Sequence, residues 1–261
     1  MTTIRDIDEQ LVNQRAYWRQ WGHRHHDRSA DPEVAFHITG VPHPTLNGVT
    51  HSTAPAGQVL PRLRQHLAGL PFIWQVTEIA LPGTVDELLS LDGEDAGVLP
   101  VMALDVRRYR PIARPESPLR ITQLPAGADL AESVGVFSTP MGLSTEDRRS
   151  LTEVDAGRAY SPDALTRFVG VLDGRIVATT ELLVTGPVGG LYAVATLEAY
   201  RRRGIATAMV DAAIQHAAAS GVPVVTLHAS DVGVPVYERL GFQEVSQIRL
   251  VRFAASTPEE N

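Results

Sequence analysis

Hydrophobic residues recur along the chain with two different spacings, and these predict a succession of helices and strands. Near the N-terminus, the apolar residues Ile4, Ile7, Leu11, Trp18 and Trp21 recur at intervals typical of one stripe on a helix. Elsewhere, short apolar runs bounded by turn residues predict strands. The pattern as a whole predicts an α+β fold in which helices flank a mixed sheet.

The first half of the chain alternates between predicted strands and predicted helices. The pair Asn47-Gly48 lies between two short extended runs and predicts a tight turn. Thr84 stands immediately before an apolar helical segment and is predicted to cap that helix. The other predicted elements are strands at 35–41, 70–81 and 98–106 and helices at about 56–69 and 84–91.

The composition changes at residues 107–118, a segment rich in proline and arginine. Proline disfavours helix in the residue before it and lacks the backbone donor that a sheet needs, so this segment predicts a linker or a sheet edge. We place a domain boundary near residue 115. The predicted organisation is a first domain at 1–115, a second domain at 116–254 and a disordered tail at 255–261.

The second half has clearer periods than the first. The Asp173-Gly174 pair predicts a hairpin between two strands, and Gly241 predicts the end of a helix. The segment at 222–230 alternates poorly, as expected of a strand covered on both faces. Predicted strands lie at 119–124, 166–172, 175–186, 189–197, 222–230 and 244–253, and predicted helices at about 127–138, 144–154, 206–220 and 232–242.

The composition excludes several chemistries. The chain has 261 residues with no cysteine, and all 23 of its basic residues are arginine. Without cysteine there is no disulfide framework, no thiolate metal site and no acyl-cysteine intermediate. Without lysine there is no Schiff base and no phosphate-loop lysine, which excludes pyridoxal enzymes and ordinary P-loop nucleotidases.

Charge and hydropathy argue against nucleic-acid and membrane partners. Thirty acidic residues against 23 arginines give a formal net charge of −7, which opposes general nucleic-acid binding. No uncharged apolar run approaches the ~18 residues of a membrane helix. The N-terminal segment MTTIRDIDEQ is acidic and lacks the apolar core of a secretory signal. We therefore expect a cytoplasmic protein.

The stretch from Val194 to Thr207 carries the clearest chemical signal. An apolar strand ends there, an arginine-rich turn follows, and Gly204 opens a helix. A helix N-terminus exposes unpaired N–H groups and about half a positive charge, so it attracts anions. Gly204 and Ala206 leave room for a phosphate, and the arginines add donors. The pattern indicates a pyrophosphate site, with a surface arginine run at a helix start as the alternative.

Two short motifs stand in order within the second half. Residues 201–206 read RRRGIA, and residues 237–242 read YERLGF. The first resembles the pyrophosphate motif of the GNAT superfamily of acyl-CoA-dependent N-acetyltransferases, and the second resembles the late Tyr-x-x-x-Gly-Phe signature of that family. The likeness covers about residues 119–254, with strands and helices in the family's order.

The resemblance implies acetyl-CoA as the acyl donor and no metal. Backbone groups of Val194, Ala195 and Thr196 would pair with the pantetheine arm as an added strand does. Ser230 stands where the family often has an asparagine that contacts the arm, so that contact differs here. The pyrophosphate loop implied by the motif comprises Arg201, Arg202, Arg203, Gly204, Ile205, Ala206 and Thr207.

Candidates for proton transfer follow from the same resemblance. Tyr237 would lie near the thioester sulfur, where a phenol is still protonated at neutral pH and can act as a general acid; a core tyrosine is the alternative. Glu181, on the strand beside the cofactor strand, is a candidate base, acting directly or through water. Glu198 is a second candidate, and relay through water and a backbone carbonyl is a third. Without cysteine, transfer is expected to be direct, in a ternary complex.

The first half lacks both motifs, yet its order of elements resembles a shortened, degenerate GNAT module. We expect it to bind CoA poorly or not at all, and to wall the acceptor cleft. His23, His25 and His26 lack the spacing of a metal site, and no His-Glu-x-x-His motif occurs, so they predict a solvated turn.

The predicted function is transfer of an acetyl group from acetyl-CoA to a primary amine. A small molecule such as an amine-bearing antibiotic or metabolite is the expected acceptor, because the acidic balance suits a cationic partner. Two alternatives stay open: a protein or peptide N-acetyltransferase, and an acyl-CoA-binding sensor without turnover. A homodimer is compatible with the sequence.

Overall fold

The computed structural model describes residues 2–21, 33–67, 69–112, 118–158 and 164–255. The boundary predicted near residue 115 falls outside these residues, as do the histidines at 23, 25 and 26. The chain divides into two compact units that interleave along the sequence. The first unit comprises Met1–Asn13, Pro100–Gly142 and Tyr160–Ser246, and the second comprises Gln14–Leu99, Leu143–Ala159 and Gln247–Asn261.

Helices and strands alternate as the periodicity predicts, and their mixed α+β arrangement confirms the predicted fold class. The helices are α1 (Ile7–Arg19), α2 (Ala56–Leu67), α3 (Thr84–Ser90), α4 (Ala131–Ser138), α5 (Thr145–Ala156), α6 (Ile205–Ala219) and α7 (Val234–Arg239). The strands are β1 (Val34–Ile38), β2 (Asn47–Ser52), β3 (Phe72–Val76), β4 (Glu94–Asp105), β5 (Arg120–Gln123), β6 (Leu165–Leu172), β7 (Arg175–Thr185), β8 (Val188–Thr196), β9 (Val224–His228) and β10 (Gln243–Phe253).

The first unit contains strands in the order β4, β9, β8, β7, β6, β5. Among the described pairings of this unit, β8 and β9 are parallel and the others are antiparallel. Helix α6 packs against β6, β7 and β8. Its residues Met209, Val210, Ala213 and Ile214 are fully buried, and their helical spacing gives one continuous apolar face. Burial of that face stabilises the unit by roughly 25 cal/mol per Å² of apolar surface.

The hairpin between β6 and β7 turns where the sequence predicts. Asp173 and Gly174 have φ values of 51° and 78°, which place both residues in the left-handed region. That backbone matches the twist of the flanking strands, and glycine and aspartate tolerate it best. The turn and a register shift between Gly170 and Val171 together set the pairing of β7 with β6, which places Glu181 opposite Arg167.

The second unit contains the strand order β1, β2, β3, β10, with β2 and β3 parallel and the other neighbours antiparallel. Helix α2, predicted at about 56–69, buries Val59, Leu60, Leu63 and Leu67, whose spacing places them on one side of the helix. Among the described residues of the whole chain, no helix combines the length and the apolar content that crossing a membrane requires.

The tight turn predicted at Asn47-Gly48 is wrong, because both residues lie in β2. Ile38 pairs with Asn47, so the connection between β1 and β2 is a longer loop. The Asn47 side chain organises that loop by donating to the Val41 carbonyl at 2.9 Å. A Cβ atom on Gly48 would approach the Ile73 carbonyl oxygen to 2.2 Å, so glycine permits close packing of β2 on β3.

The capping role predicted for Thr84 is also wrong. Gly83, with φ of 79°, precedes the helix as its cap residue, and Thr84 is the first helical residue. The Thr84 hydroxyl instead donates backwards to the Leu81 carbonyl at 2.6 Å. A glycine in the left-handed region sets the entry angle of α3 without needing a side-chain cap.

Candidate active site

Strands β8 and β9 run side by side and then separate. The described register pairs them as far as Leu191 and Leu227, whereas β8 continues to Thr196. Beyond β9 the chain turns towards β4, where the Ala229 N–H donates to the Pro100 carbonyl at 2.9 Å. The end of β8 stays paired with β7 on its other side. The separated edge, which includes the predicted contact residues 194–196, can therefore accept an added extended backbone.

The loop after β8 enters α6 through two left-handed residues. Arg202 has φ of 62° and Gly204 has φ of 75°. Such turns direct successive N–H groups towards a common point and form anion-binding concavities. Helix α6 starts with no side-chain cap and no acidic residue in its first turn. Because the Ala208 N–H already donates to the Gly204 carbonyl, the amides of residues 205–207 are the ones without a helical acceptor.

Two of the arginines hold the shape of this loop. Arg201 Nε donates to the Thr196 carbonyl at 3.1 Å, and Arg203 Nη2 donates to the Ala199 carbonyl at 3.0 Å. The Arg203 guanidinium also lies 5.4 Å from the centre of the Tyr200 ring. Each guanidinium has five N–H donors, so further donors remain for a phosphate. The loop therefore concentrates positive charge beside the open start of α6.

Thr196 gives an independent indication that a ligand binds at this edge. Its Oγ1 is buried and has no hydrogen-bond partner among the described residues, although buried hydroxyl groups are nearly always paired. Ser230, the second predicted arm contact, is exposed after β9. Its carbonyl accepts from the Gly233 N–H at 2.7 Å and so starts α7. An unpaired hydroxyl, an open strand edge and free amides together suit a polar arm ending in a diphosphate.

Tyr237 lies on α7 with 8% of its surface exposed. Its ring meets the Phe242 ring edge-to-face at 5.9 Å. A Cβ atom on Gly233 would come within 2.8 Å of Tyr237 Cε2, so glycine makes room for the ring. Burial raises the pKa of Tyr237 to about 12, because a buried phenolate loses its hydration. The hydroxyl is therefore a neutral proton donor throughout the physiological pH range.

Glu181 is buried on β7 and forms an ion pair. Its Oε1 accepts from Arg167 Nε at 2.9 Å on the neighbouring strand β6. Glu181 pairs directly with Tyr192 of β8, so the two side chains lie on the same face of the sheet. The alternative base, Glu198, is exposed in a single helical turn before the arginines. The two candidate bases therefore differ in surroundings: Glu181 is buried and ion-paired, whereas Glu198 is exposed to solvent.

Two aromatic residues at the point of strand separation were missed by sequence reasoning. Tyr192 and His228 each follow the last residue that pairs β8 with β9, and their ring centres are 6.5 Å apart in an edge-to-face arrangement. A polar ring at the carboxyl end of a predicted parallel strand is a signal that could have identified His228. Tyr192 could be found only from the register of β7 and β8.

A second concave region, of about 510 Å³, lies in the first unit at the other end of β9. Its charged lining residues are Asp105, Arg107, Arg108, Arg110 and Arg239. Asp105 pairs with Val224, the first residue of β9. Arg107 Nε donates to Asp105 Oδ1 at 2.8 Å, and this guanidinium lowers the pKa of the Asp105 carboxyl. We do not place the acyl donor here, because ligands of parallel strands bind at the carboxyl ends.

Within the described parts of the chain, no three His, Asp or Glu side chains form a group suited to a metal ion. Comparison with family models matches residues 137–242 to the Acetyltransferase (GNAT) family. A search of curated proteins gives no match. The matched segment contains both motifs up to Phe242, the separated strands and the start of α6.

Solved structures show the same fold. A GCN5-related N-acetyltransferase from Kribbella flavida has 15% identity and a TM-score of 0.67, with 98% of each chain covered. A tandem GNAT protein from the clavulanic acid biosynthesis pathway has 14% identity and a TM-score of 0.58, again with 98% of each chain covered. Residues 137–242 therefore match the Acetyltransferase (GNAT) family model, and the chain has the fold of these GNAT structures, one of them a tandem GNAT protein, over nearly its whole length.

Proposed function

We propose that the protein is an acetyl-CoA-dependent N-acetyltransferase that acetylates a primary amine of a small molecule. The observation that carries this proposal is the uncapped start of α6 beside the separated edge of β8. A helix start with free amides binds a diphosphate, and an open strand edge pairs with the amides of an extended arm. The two features adjoin each other, as a single pantetheine diphosphate requires.

The binding roles follow from this placement. The backbone of Val194, Ala195 and Thr196 pairs with the pantetheine arm, and Thr196 Oγ1 gains a partner when the arm is present. The residues at 201–207 hold the pyrophosphate through backbone amides and guanidinium groups. Ser230, exposed two residues after β9, contacts the other side of the arm.

The reaction needs a neutral amine and a protonated leaving group. An alkylamine with a pKa near 10 is almost fully protonated at pH 7, and freeing its lone pair costs about 4 kcal/mol. Acetyl-CoA supplies the activated acetyl group. Tyr237 donates its hydroxyl proton to the departing sulfur as the carbon–sulfur bond breaks. Glu181, directly or through water, accepts a proton from the nitrogen that bonds to the acetyl carbon.

The test is a thiol-release assay with two panels of acceptors. Purified protein and acetyl-CoA are incubated with small primary amines in one panel, and with short peptides carrying free N-termini or lysines in the other. Release of free CoA thiol with small amines is expected. Turnover with peptides alone would refute the small-molecule acceptor. Saturable CoA binding without turnover in either panel would refute the enzyme and leave a sensor.

A further inference from the structure

The fork between β8 and β9 holds a polar cluster that the proposed mechanism leaves unused. Its members are Tyr192 and His228, the first residues of the two strands beyond the last parallel pair. Gly190 pairs with Thr226, and side chains alternate along a strand, so Tyr192 and His228 lie on the same face as that pair. They form the inner end of the gap between the separated strands.

Tyr192 is fixed in position. Its hydroxyl donates to Asn13 Oδ1 at 2.7 Å. The Asn13 amide donates in turn to the carbonyls of Leu183 and Val188, at 2.9 Å and 3.2 Å, on both sides of the β7–β8 hairpin. A Cβ atom on Gly190 would lie 2.0 Å from Asn13 Oδ1, so glycine is required for this contact. The Tyr192 ring is therefore a rigid wall rather than a movable proton donor.

A neighbouring polar group on this face is also already bonded. Thr226 donates its hydroxyl to Gln10 Oε1 of α1 at 2.8 Å. His228 differs, because it keeps some exposed surface at the end of β9. Burial lowers the pKa of His228 to about 4, so the imidazole is neutral at physiological pH and offers one nitrogen lone pair as an acceptor.

The fork lies where the acetyl end of the bound donor should arrive. On the proposed function, the diphosphate binds at the start of α6 and the pantetheine arm follows the edge of β8 from Thr196 towards Tyr192. Four residues of regular strand would span roughly 13 Å, and the left-handed Ala193 shortens that distance. An extended arm that starts at the arginine loop thus carries its thioester towards the fork, and the acceptor nitrogen must reach the same place.

We propose that His228 binds the acceptor amine at the fork by accepting a hydrogen bond from its N–H, with the Tyr192 ring as the adjoining wall. This inference rests on the proposed function and adds to it the residue that orients the nucleophile. An uncharged amine suits this place, because one lone pair and an aromatic wall do not replace the hydration of an ammonium ion. The bond leaves the nitrogen lone pair free to attack the acetyl carbon.

The proton balance is unchanged by this role. The amine nitrogen bonds to the acetyl carbon, the carbon–sulfur bond breaks, and the sulfur receives the Tyr237 proton. The N–H that His228 accepts stays on the nitrogen and becomes the amide N–H of the product. The second amine proton leaves through Glu181 or water, and solvent restores the proton of Tyr237.

The kinetic test compares three variants with wild type. His228→Phe keeps a flat ring but removes the acceptor atom, and the KM for the amine should rise about tenfold or more. His228→Asn supplies an oxygen acceptor and should recover part of that loss. The dissociation constant of acetyl-CoA should stay within about twofold in both variants. His216→Asn, on α6, is the matched control and should leave both constants unchanged. An unaltered amine KM in His228→Phe overturns the proposal.

A second measurement does not depend on finding the acceptor. The Cε1–H resonance of His228, assigned by its loss in His228→Asn, should shift on saturation with acetyl-CoA, while that of His216 should not. A His228 resonance that stays fixed at saturation overturns the placement of the thioester at the fork. A shifted resonance without turnover in any amine panel supports the placement and refutes the enzyme instead, so the two failures are distinguishable.

Discussion

Helices α6 and α2 occupy equivalent positions between two parallel strands, but the backbone amides at their N-termini have different surroundings. Each follows one strand and leads into a second strand parallel to the first, β8–α6–β9 in the first unit and β2–α2–β3 in the second. At α6 the leading amides have no side-chain cap. At α2 the N–H groups of Ala56 and Gly57 both donate to Glu87, to Oε2 and Oε1 respectively, each at 2.9 Å.

The difference shows how one supersecondary plan leaves a helix start open in one unit and closes it with a side chain in the other. The Glu87 carboxylate of α3 places two oxygens where a phosphate would place its own, so the second unit supplies its own anion. The loop before α6 contains a left-handed Arg202, whereas the described loop before α2 contains no such residue. We therefore expect one CoA per chain, bound at α6.

The largest effect is expected from a substitution on α7. This helix follows the parallel pair β8–β9 as α3 follows the parallel pair β2–β3. Helix α7 carries Tyr237, whereas α3, which follows β3, contains no tyrosine. Tyr237→Phe should lower kcat by roughly 10²–10⁴-fold and leave CoA affinity unchanged, because a positioned acid acts on the leaving group alone. Steady-state kinetics and calorimetry measure the two quantities. Tyr109→Phe, which loses a hydrogen bond to Asp211, is the control and should keep its kcat. Equal kcat values for wild type and Tyr237→Phe would remove the phenol from the mechanism.

The next effect tests the open start of α6 directly. Ala206→Glu places a carboxylate in the first turn of α6, where it can accept from the leading amides. The Glu87 carboxylate of α3 does the same at the start of α2. The Ala206→Glu substitution should weaken CoA binding about 100-fold, because at least two hydrogen bonds to a charged phosphate are lost. Ala218→Glu, near the exposed end of the same helix, is the matched control. If calorimetry still finds one CoA per chain at wild-type affinity in Ala206→Glu, then the cofactor does not bind at α6.

Local signals along the sequence account for most of the elements and for the loop before α6. The stripe of α2, the Asp173-Gly174 turn and the glycine at the start of α6 each depend on residues close in the chain, so period and turn chemistry predict them. Asn47-Gly48 shows the limit of such signals. The same pair that favours a turn also suits a strand that packs closely on another backbone, and only the tertiary structure decides.

Contacts between distant residues account for what the sequence could not predict. Asn13 bonds to the Leu183 carbonyl across 170 residues, and that contact fixes the Tyr192 ring. Glu87 reaches the amide of Ala56 across 31 residues. No local period or motif encodes either pairing, because both depend on which helix packs at which strand end. The sequence therefore predicts the loop before α6 better than it predicts the side chains at the fork between β8 and β9.

A smaller effect is expected when the intramolecular anion of the second unit is removed. Glu87→Ala should lower the free energy of unfolding by about 1–2 kcal/mol, as the loss of a helix cap does. Asp86→Ala removes the same charge one residue earlier on α3 and should cost less. Urea unfolding of both variants checks the difference. CoA binding should stay at one site per chain in both; equal destabilisation by the two substitutions would show that Glu87 does not hold the start of α2.

The smallest effect concerns the strained arginine that distinguishes the two loops. A non-glycine residue in the left-handed region costs roughly 1–2 kcal/mol of folding free energy. Arg202→Gly removes this cost, but glycine has more freedom in the unfolded chain, which offsets part of the gain. We therefore expect a small increase in the free energy of unfolding. Arg201 has φ of −64°, so Arg201→Gly should instead destabilise the protein. Opposite signs in urea unfolding, with CoA binding weakened several-fold in Arg202→Gly, would show that the loop holds its strain for the ligand. A destabilising Arg202→Gly would mean that the strain there is smaller than the cost of glycine's freedom in the unfolded chain.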